Sequence, residues 1–257
     1  MGAEGAALPE PDAAPPGLTV NDDRARFDDF WEASSLSIFN IGDFSRALSV
    51  YEDDDKELLL EYPTSPRPLP SPSTRLGRIA RRRHSGRTFS GAEVSERELG
   101  ALLSSLRAWN GLEHRGYPSA GATYVTEVFC VGFHAASLTG TIAYYDAERH
   151  GLVEVSRDAP TWDDVRARAN ATIDGTPGLL LLFVAFPGRA TVKYGERGGR
   201  FALLEVGAAM QQVSLAIAES RRLKGVILGG LLDESWVQSL GLGGTDAHIV
   251  VGYIIGK

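Results

Sequence analysis

The chain is poor in sulfur, with one cysteine, Cys130, and two methionines among 257 residues. A lone cysteine cannot close an internal disulfide and fits a reducing compartment. It sits in the apolar run 128–131, where a buried structural thiol is expected rather than a nucleophile. The five histidines are scattered, so no cluster has metal-ligand spacing and no metal site is expected. Positive charge is also scarce: 26 basic against 33 acidic residues leave a net charge of −7. Non-specific nucleic-acid binding draws on a basic face, so that partner is argued against, while a local basic pocket is not. Uninterrupted apolar runs such as 179–186 are too short to cross a bilayer, so no membrane partner is expected. The dinucleotide fingerprint and the P-loop are both missing. Residues 1–22 carry neither the basic start nor the apolar core of a signal peptide. They read as a disordered tail on a cytoplasmic protein.

The apolar and charged fractions, 43% and 23%, are ordinary for a globular chain of this length. Residues 23–74 form an accessory segment: apolar groups at Phe27, Phe30 and Trp31 have helical spacing, and a Pro/Ser-rich connector closes it. Residues 75–257 form the main domain. A basic helix is predicted over 74–83. A second follows the capping box that opens at Ser95, with Leu99, Leu102, Leu103 and Leu106 on its core face. Strands are predicted over 125–133, 141–146 and 152–155, and a short helix begins at Thr161. Residues 178–186, apolar on both faces, read as a central buried strand. The longest helix is predicted over 201–222, followed by a strand at 225–228, a helix at 233–240 and a strand at 247–255. Helices and strands lack a regular βαβ rhythm, so the fold class is α+β.

Four segments could carry chemistry. Arg83, Ser85 and Arg87 alternate, so an extended backbone puts them on one face. Two guanidinium forks with a hydroxyl between them suit a phosphate or an electron-rich heterocycle. Pro118, Ser119, Ala120 and Gly121 form a small-residue loop that lets backbone N–H groups approach a flat ligand. Lys193 and Tyr194, followed by Gly195, Glu196, Arg197, Gly198, Gly199 and Arg200, read as a polar loop holding two groups able to carry a proton. Nearby guanidinium groups could lower the lysine pKa by repulsion. The fourth segment is Gly229-Gly230, at the exit of a short strand. Taken singly, each also fits a solvated turn.

In this order the four segments resemble the SagB-type (McbC-like) azoline dehydrogenases of the FMN-dependent nitroreductase superfamily. The resemblance covers roughly residues 75–257. It implies a nitroreductase-like fold with a mixed, mainly antiparallel sheet and a homodimer joined along its long helix, with FMN at the interface. Arg83, Ser85 and Arg87 would hold the flavin's ring edge, ribityl chain and phosphate. Pro118, Ser119, Ala120 and Gly121 would form the second flavin loop, Ser119 reaching across from the other subunit. Gly229 and Gly230 would lie near the reactive edge. Arg197 belongs to the segment that marks this branch, and Lys193 and Tyr194 would be the catalytic pair.

The implied reaction turns a thiazoline or oxazoline of a modified peptide into the azole, removing a proton from one ring carbon and a hydride from its neighbour. FMN takes the hydride, and neutral Lys193 or ionised Tyr194 could take the proton. A cyclodehydratase would be the companion enzyme. Two further readings stand beside this one: an NAD(P)H-dependent nitroreductase or flavin reductase, which needs no substrate base, and a non-catalytic scaffold of a peptide-modifying complex. The chain departs from the pattern in having Val125 after Tyr124, His84 inside the first motif, and Lys257 close behind the last strand.

Overall fold

The computed structural model describes residues 20–50, 67–111, 114–169 and 172–257. The first half of the chain runs α1 (Val20–Ser34), α2 (Ile41–Val50), α3 (Arg75–Arg82), β1 (Thr88–Ser90), α4 (Glu96–Leu103), β2 (Ala108–Trp109), β3 (His114–Arg115), β4 (Thr126–Gly132) and β5 (Ile142–Asp146). It continues through β6 (Gly151–Ser156), α5 (Trp162–Arg168), β7 (Asp174–Thr176), β8 (Leu179–Ala185), α6 (Gly188–Tyr194), α7 (Arg197–Ser220), β9 (Lys224–Leu228), α8 (Asp233–Ser239) and β10 (His248–Gly256). Residues 1–19 and 51–66, covering most of the predicted tail and part of the predicted connector, lie outside the described residues.

A six-stranded sheet in the order β6-β5-β4-β8-β10-β9 organises the molecule. Each of its ladders is antiparallel, whereas the small β1–β7 ribbon is parallel. Strand β8 is central because its seven residues are buried without exception. Side chains alternate across a strand, so Leu179, Leu181 and Phe183 join the core beneath α4 and α7. Leu180, Leu182 and Val184 join a second core with Trp162 of α5 and Trp236 of α8. The result is an α+β domain of three layers, helices covering both sheet faces. Cys130 is fully buried in the first core, and burial pushes its thiol up to about 12.

The predicted capping box of Ser95 with Glu98 is present, and the helix that begins after Thr161 has one as well, Thr161 with Asp164. One prediction needs correction. The segment from Lys193 to Arg200 is not a loop. Lys193 and Tyr194 end α6, Gly195 makes the turn at φ 56°, and Arg197 already begins α7. The apolar pattern marked α7 only from Phe201, because its first turn is polar and glycine-rich. Gly198 and Gly199 therefore serve packing. A Cβ on Gly198 would lie 2.6 Å from the α6 backbone at Ala190 and Thr191, and one on Gly199 would strike the Phe27 ring.

That last contact docks the accessory segment. Phe27 and Trp31 also pack on His248 of β10, and Leu36 N–H donates to Asp233 Oδ2 at 3.1 Å. Helix α7 is long and apolar enough, by length and composition, to cross a membrane. Here it is a core helix, with Ala202, Val206, Ala209 and Val213 buried against the sheet.

The C-terminus is tied down by Lys257 Nζ, 2.8 Å from Glu98 Oε2. Burial opposes ionisation of Glu98, but hydrogen bonds from Lys257 and Ser95 prevail and hold its carboxyl at about 2, below the ordinary 4.5. A depressed carboxyl contributes stability that is whole above its unfolded pKa and is lost as pH falls through the folded one. The melting temperature of Glu98→Gln should therefore fall less between about pH 5 and pH 2 than that of the wild type, measured by thermal denaturation across pH. Leu181→Ala, a truncation in the buried central strand, should cost about 2–5 kcal/mol in a denaturant titration.

Candidate functional site

The second and third motifs meet. Gly121 lies in a tight turn over Ala120–Ala122 at φ 58°, with Ala122 at 54° and Tyr124 at 41°, left-handed values that strain residues bearing a Cβ. The turn rests on the end of α6. Lys193 Nζ donates to Gly121 O in a long contact of 3.4 Å. A Cβ on Gly121 would sit 2.2 Å from the Tyr194 hydroxyl and 2.5 Å from Lys193 Nζ. Glycine is thus required twice, by the backbone angle and by the close approach. Tyr194 is half-buried, edge-on to Phe201 at 5.0 Å, while the Lys193 side chain stays exposed. Two proton-carrying groups therefore stand side by side at the mouth of a turn that admits no side chain.

The turn is clasped from behind by α7. Ser119 Oγ donates to Glu205 Oε2 at 2.5 Å and accepts from Tyr124 N–H at 2.9 Å. Glu205 Oε1 accepts from Thr126 N–H at 2.9 Å, and the residue is only 3% exposed. Beside it Arg115 donates to the Tyr117 hydroxyl at 2.8 Å and to Thr126 O at 2.9 Å, its guanidinium 4.9 Å from the centre of the Tyr124 ring. Burial pushes the Tyr117 phenol up to about 12, although Arg115 draws it down. Glu205, Arg115 and Tyr117 were not singled out as site residues in the sequence. Ser119 and Glu205 stand 86 positions apart, so only a lone acid inside an apolar helix could have hinted at the contact.

The first motif lies elsewhere. Gly86 N–H donates to Gly225 O at 2.9 Å, which fastens the segment to β9 and leaves Arg83, Ser85 and Arg87 exposed. No hydrogen bond or ion pair engages these three side chains among the described residues. Arg82 Nε donates to Ala218 O at 3.0 Å, near the C-terminal end of α7. Arg81 to His84, Arg221 and Lys224 surround a cavity of about 750 Å³ there, floored by Ile217, Ala218 and Leu223. From Ala218 back to Glu205 is about 20 Å along the helix at 1.5 Å per residue. A single chain therefore joins the second motif to the third and holds the first apart from both.

Strand β9 runs from the Arg83 segment towards the fourth motif. Gly229 borders a cavity of about 300 Å³ with Phe30, Trp31 and Leu203. Gly230 faces another, of about 440 Å³, whose walls include Val165 and Trp236. Arg197 lines a third groove with Phe27, Phe30, Arg200 and Leu203. Pro118 is exposed, and Ala120 is partly buried in the turn. The docked α1 thus supplies one wall beside both Arg197 and Gly229. Lys257, engaged with Glu98, is committed to structure.

Gly121→Ala should leave the global fold intact and disorder the Lys193–Tyr194 contact. The added methyl must be accommodated against the Tyr194 hydroxyl and Lys193 Nζ at a positive φ, at an expected cost of about 1–3 kcal/mol. Lower thermal stability with unchanged circular dichroism, together with faster amide exchange at residues 119–124, would meet this expectation.

Comparison with known proteins follows the same boundaries. The sequence pattern of the Nitroreductase family matches residues 80–257. The chain is 29% identical, over 155 residues, to a Methanocaldococcus jannaschii protein named "Putative nitroreductase MJ1384", spanning 59% of this chain and 77% of that one. Its fold is similar to that of a "putative nitroreductase" from Ralstonia eutropha, with a TM-score of 0.60 at 22% identity over 75% of this chain and 87% of the other. It is also similar to a chain of the Escherichia coli microcin synthetase McbBCD complex, solved with truncated pro-MccB17 bound. That likeness has a TM-score of 0.67 at 23% identity and covers 93% of this chain and 91% of that one, so it extends into the accessory helices. With the family pattern covering more than half of its length, from the basic helix α3 to the last strand, the chain belongs to the nitroreductase family.

Proposed function

We propose that the protein is an FMN-dependent oxidoreductase that takes electrons from a reduced nicotinamide and passes them to a flat, electron-poor acceptor such as a nitroaromatic or a quinone. The observation carrying this reading is the set of exposed, uncommitted side chains Arg83, Ser85 and Arg87, inside the family-matched region. Their donors fit the group: a flavin mononucleotide offers a dianionic phosphate and carbonyl edges, which two guanidinium forks and a hydroxyl can satisfy. Gly229 and Gly230 add backbone without side-chain bulk at the far end of β9. When bound, FMN supplies a carrier that accepts and returns a hydride. The chain's own part is to anchor the phosphate at Arg83 and Arg87, orient the ring edge and admit a flat partner.

The spacing along α7 supports a homodimer. The Ser119–Gly121 turn packs at Glu205 and the Arg83 segment near Ala218, about 20 Å apart along α7. A two-fold mate with its long helix antiparallel would bring the two ends together. That arrangement gives Ser119 the role implied by the family resemblance, in trans.

A second reading, azoline dehydrogenation on a modified peptide with a cyclodehydratase as companion, is favoured by one specific observation. Lys193 and Tyr194 are held side by side at Gly121, and a base is needed only where a C–H proton must leave. The fold likeness to the McbBCD chain across the accessory helices supports the same reading. Here Lys193 or Tyr194 takes the ring proton while Arg83 and Arg87 retain their binding role.

Anaerobic spectroscopy separates the two. Purified protein should be yellow, and Arg83→Ala with Arg87→Ala should weaken FMN binding by about tenfold or more. Bleaching of the flavin by NADPH alone, with nitroaromatic turnover that survives Lys193→Ala, supports the reductase. Bleaching only by an azoline peptide, which loses two hydrogens, with a fall of about a hundredfold or more in Lys193→Ala or Tyr194→Phe, supports the dehydrogenase. Colourless protein that takes up no FMN overturns both.

A further inference from the structure

Glu205 is a buried acid in the first half of α7, a stretch where Ala202, Val206 and Ala209 pack into the core. Placing a carboxyl group there is costly unless each oxygen finds a donor. Both do, and both donors come from one short segment: the Ser119 hydroxyl at 2.5 Å and Thr126 N–H at 2.9 Å. Ser119 Oγ then accepts Tyr124 N–H at 2.9 Å. A single side chain thus pins both ends of residues 119–126. Between those ends lie three left-handed conformations, at Gly121, Ala122 and Tyr124. Two of them are strained, and such angles persist only where surrounding contacts over-determine them. The apex of the strained stretch is Gly121, which meets Lys193 and Tyr194. Arg115 lies within electrostatic reach of Glu205 and stacks on Tyr124, backing the same segment.

We propose that Glu205 is a positioning residue. Through Ser119 it fixes the height of the Gly121 turn, and so the placement of Lys193 Nζ and the Tyr194 hydroxyl against the ligand. It touches neither substrate nor flavin. The clasp explains why a serine, with one hydrogen to donate and a lone pair to accept, precedes the turn: a methyl side chain in its place could do neither. The proposal rests on the second reading above, azoline dehydrogenation, in which Lys193 and Tyr194 face the bound ligand.

Glu205→Ala, Glu205→Gln, Ser119→Ala and the double variant Ser119→Ala/Glu205→Ala test it. The first readout is amide hydrogen exchange of flavin-free protein. Tyr124 and Thr126 should exchange about tenfold faster or more in Glu205→Ala, while Glu205→Gln, which keeps an acceptor for Thr126 N–H, should restore protection at Thr126. The second is steady-state kinetics at saturating FMN with an azoline peptide, the substrate whose turnover needs Lys193 and Tyr194. Glu205→Ala should lower kcat about tenfold with KM within about threefold, and shift the pH profile of kcat. In the exchange readout of flavin-free protein the double variant should be no worse than Glu205→Ala, because both single changes break one clasp. Unchanged exchange at Tyr124 and Thr126 would overturn the proposal. So would folded Glu205→Ala with wild-type kcat and pH profile on the azoline peptide, or exchange effects that add fully in the double variant. Wild-type protein that binds no flavin, or that turns over no azoline peptide, fails the functional reading instead, and the exchange measurement still decides whether the clasp holds the turn.

Discussion

Everything in this molecule is arranged around a strand that cannot touch water. Residues 179–185 are buried on both faces, so helices must cover the sheet twice. Helices α4 and α7 cover one side, and α5 and α8 the other. Burying one large apolar side chain contributes roughly 1.5–3 kcal/mol, and the strand does so six times in succession before it ends at Ala185. Its neighbours β4 and β10 are pinned to it by long antiparallel ladders. The loops that leave their ends are therefore presented from a rigid platform, as a site on loops requires.

Helix α7 acts as the ruler of the functional surface. Its first half holds the Ser119–Thr126 segment through Glu205, and its C-terminal end receives Arg82 and Arg75 of α3 through Ala218 O and Glu219. One rigid helix thus spaces Lys193 and Tyr194 from the exposed Arg83 and Arg87. The glycines that introduce α7 share in this. Gly198 lets α6 lie against its backbone and Gly199 lets Phe27 in, so Lys193 and Tyr194 are delivered by a short helix rather than by a loop. The accessory helix α1 becomes a wall beside Arg197 and Gly229. It lies outside the region matched by the family pattern.

Legibility in the sequence followed the range of the physics. Period-two and 3.6-residue patterns, capping boxes and an unbroken apolar run are local signals, and they located β4, β8, α4, α5 and β10 within a residue or two. The end of α6 and the first turn of α7 were read as loop because their pattern is broken by glycine and charge at positions that serve packing between helices. The two-residue strands β2 and β3 and the ribbon of β1 with β7 carry no period at all. They form because chain ends brought close by the sheet satisfy their backbone groups on one another.

The candidate site divides in the same way. Residue chemistry alone selected the guanidinium pair around Ser85, the small-residue turn at Gly121 and the Lys193–Tyr194 pair, since donors, steric freedom and proton carriers are properties of side chains. Composition likewise excluded a disulfide within the chain. Only the tertiary structure decided that the turn and the Lys–Tyr pair touch, that the arginines stand at the other end of α7, and that Glu205 clasps Ser119 from 86 positions away. Such contacts depend on which groups the buried sheet leaves without water. A sequence lists those groups, but only the fold determines which of them must satisfy one another.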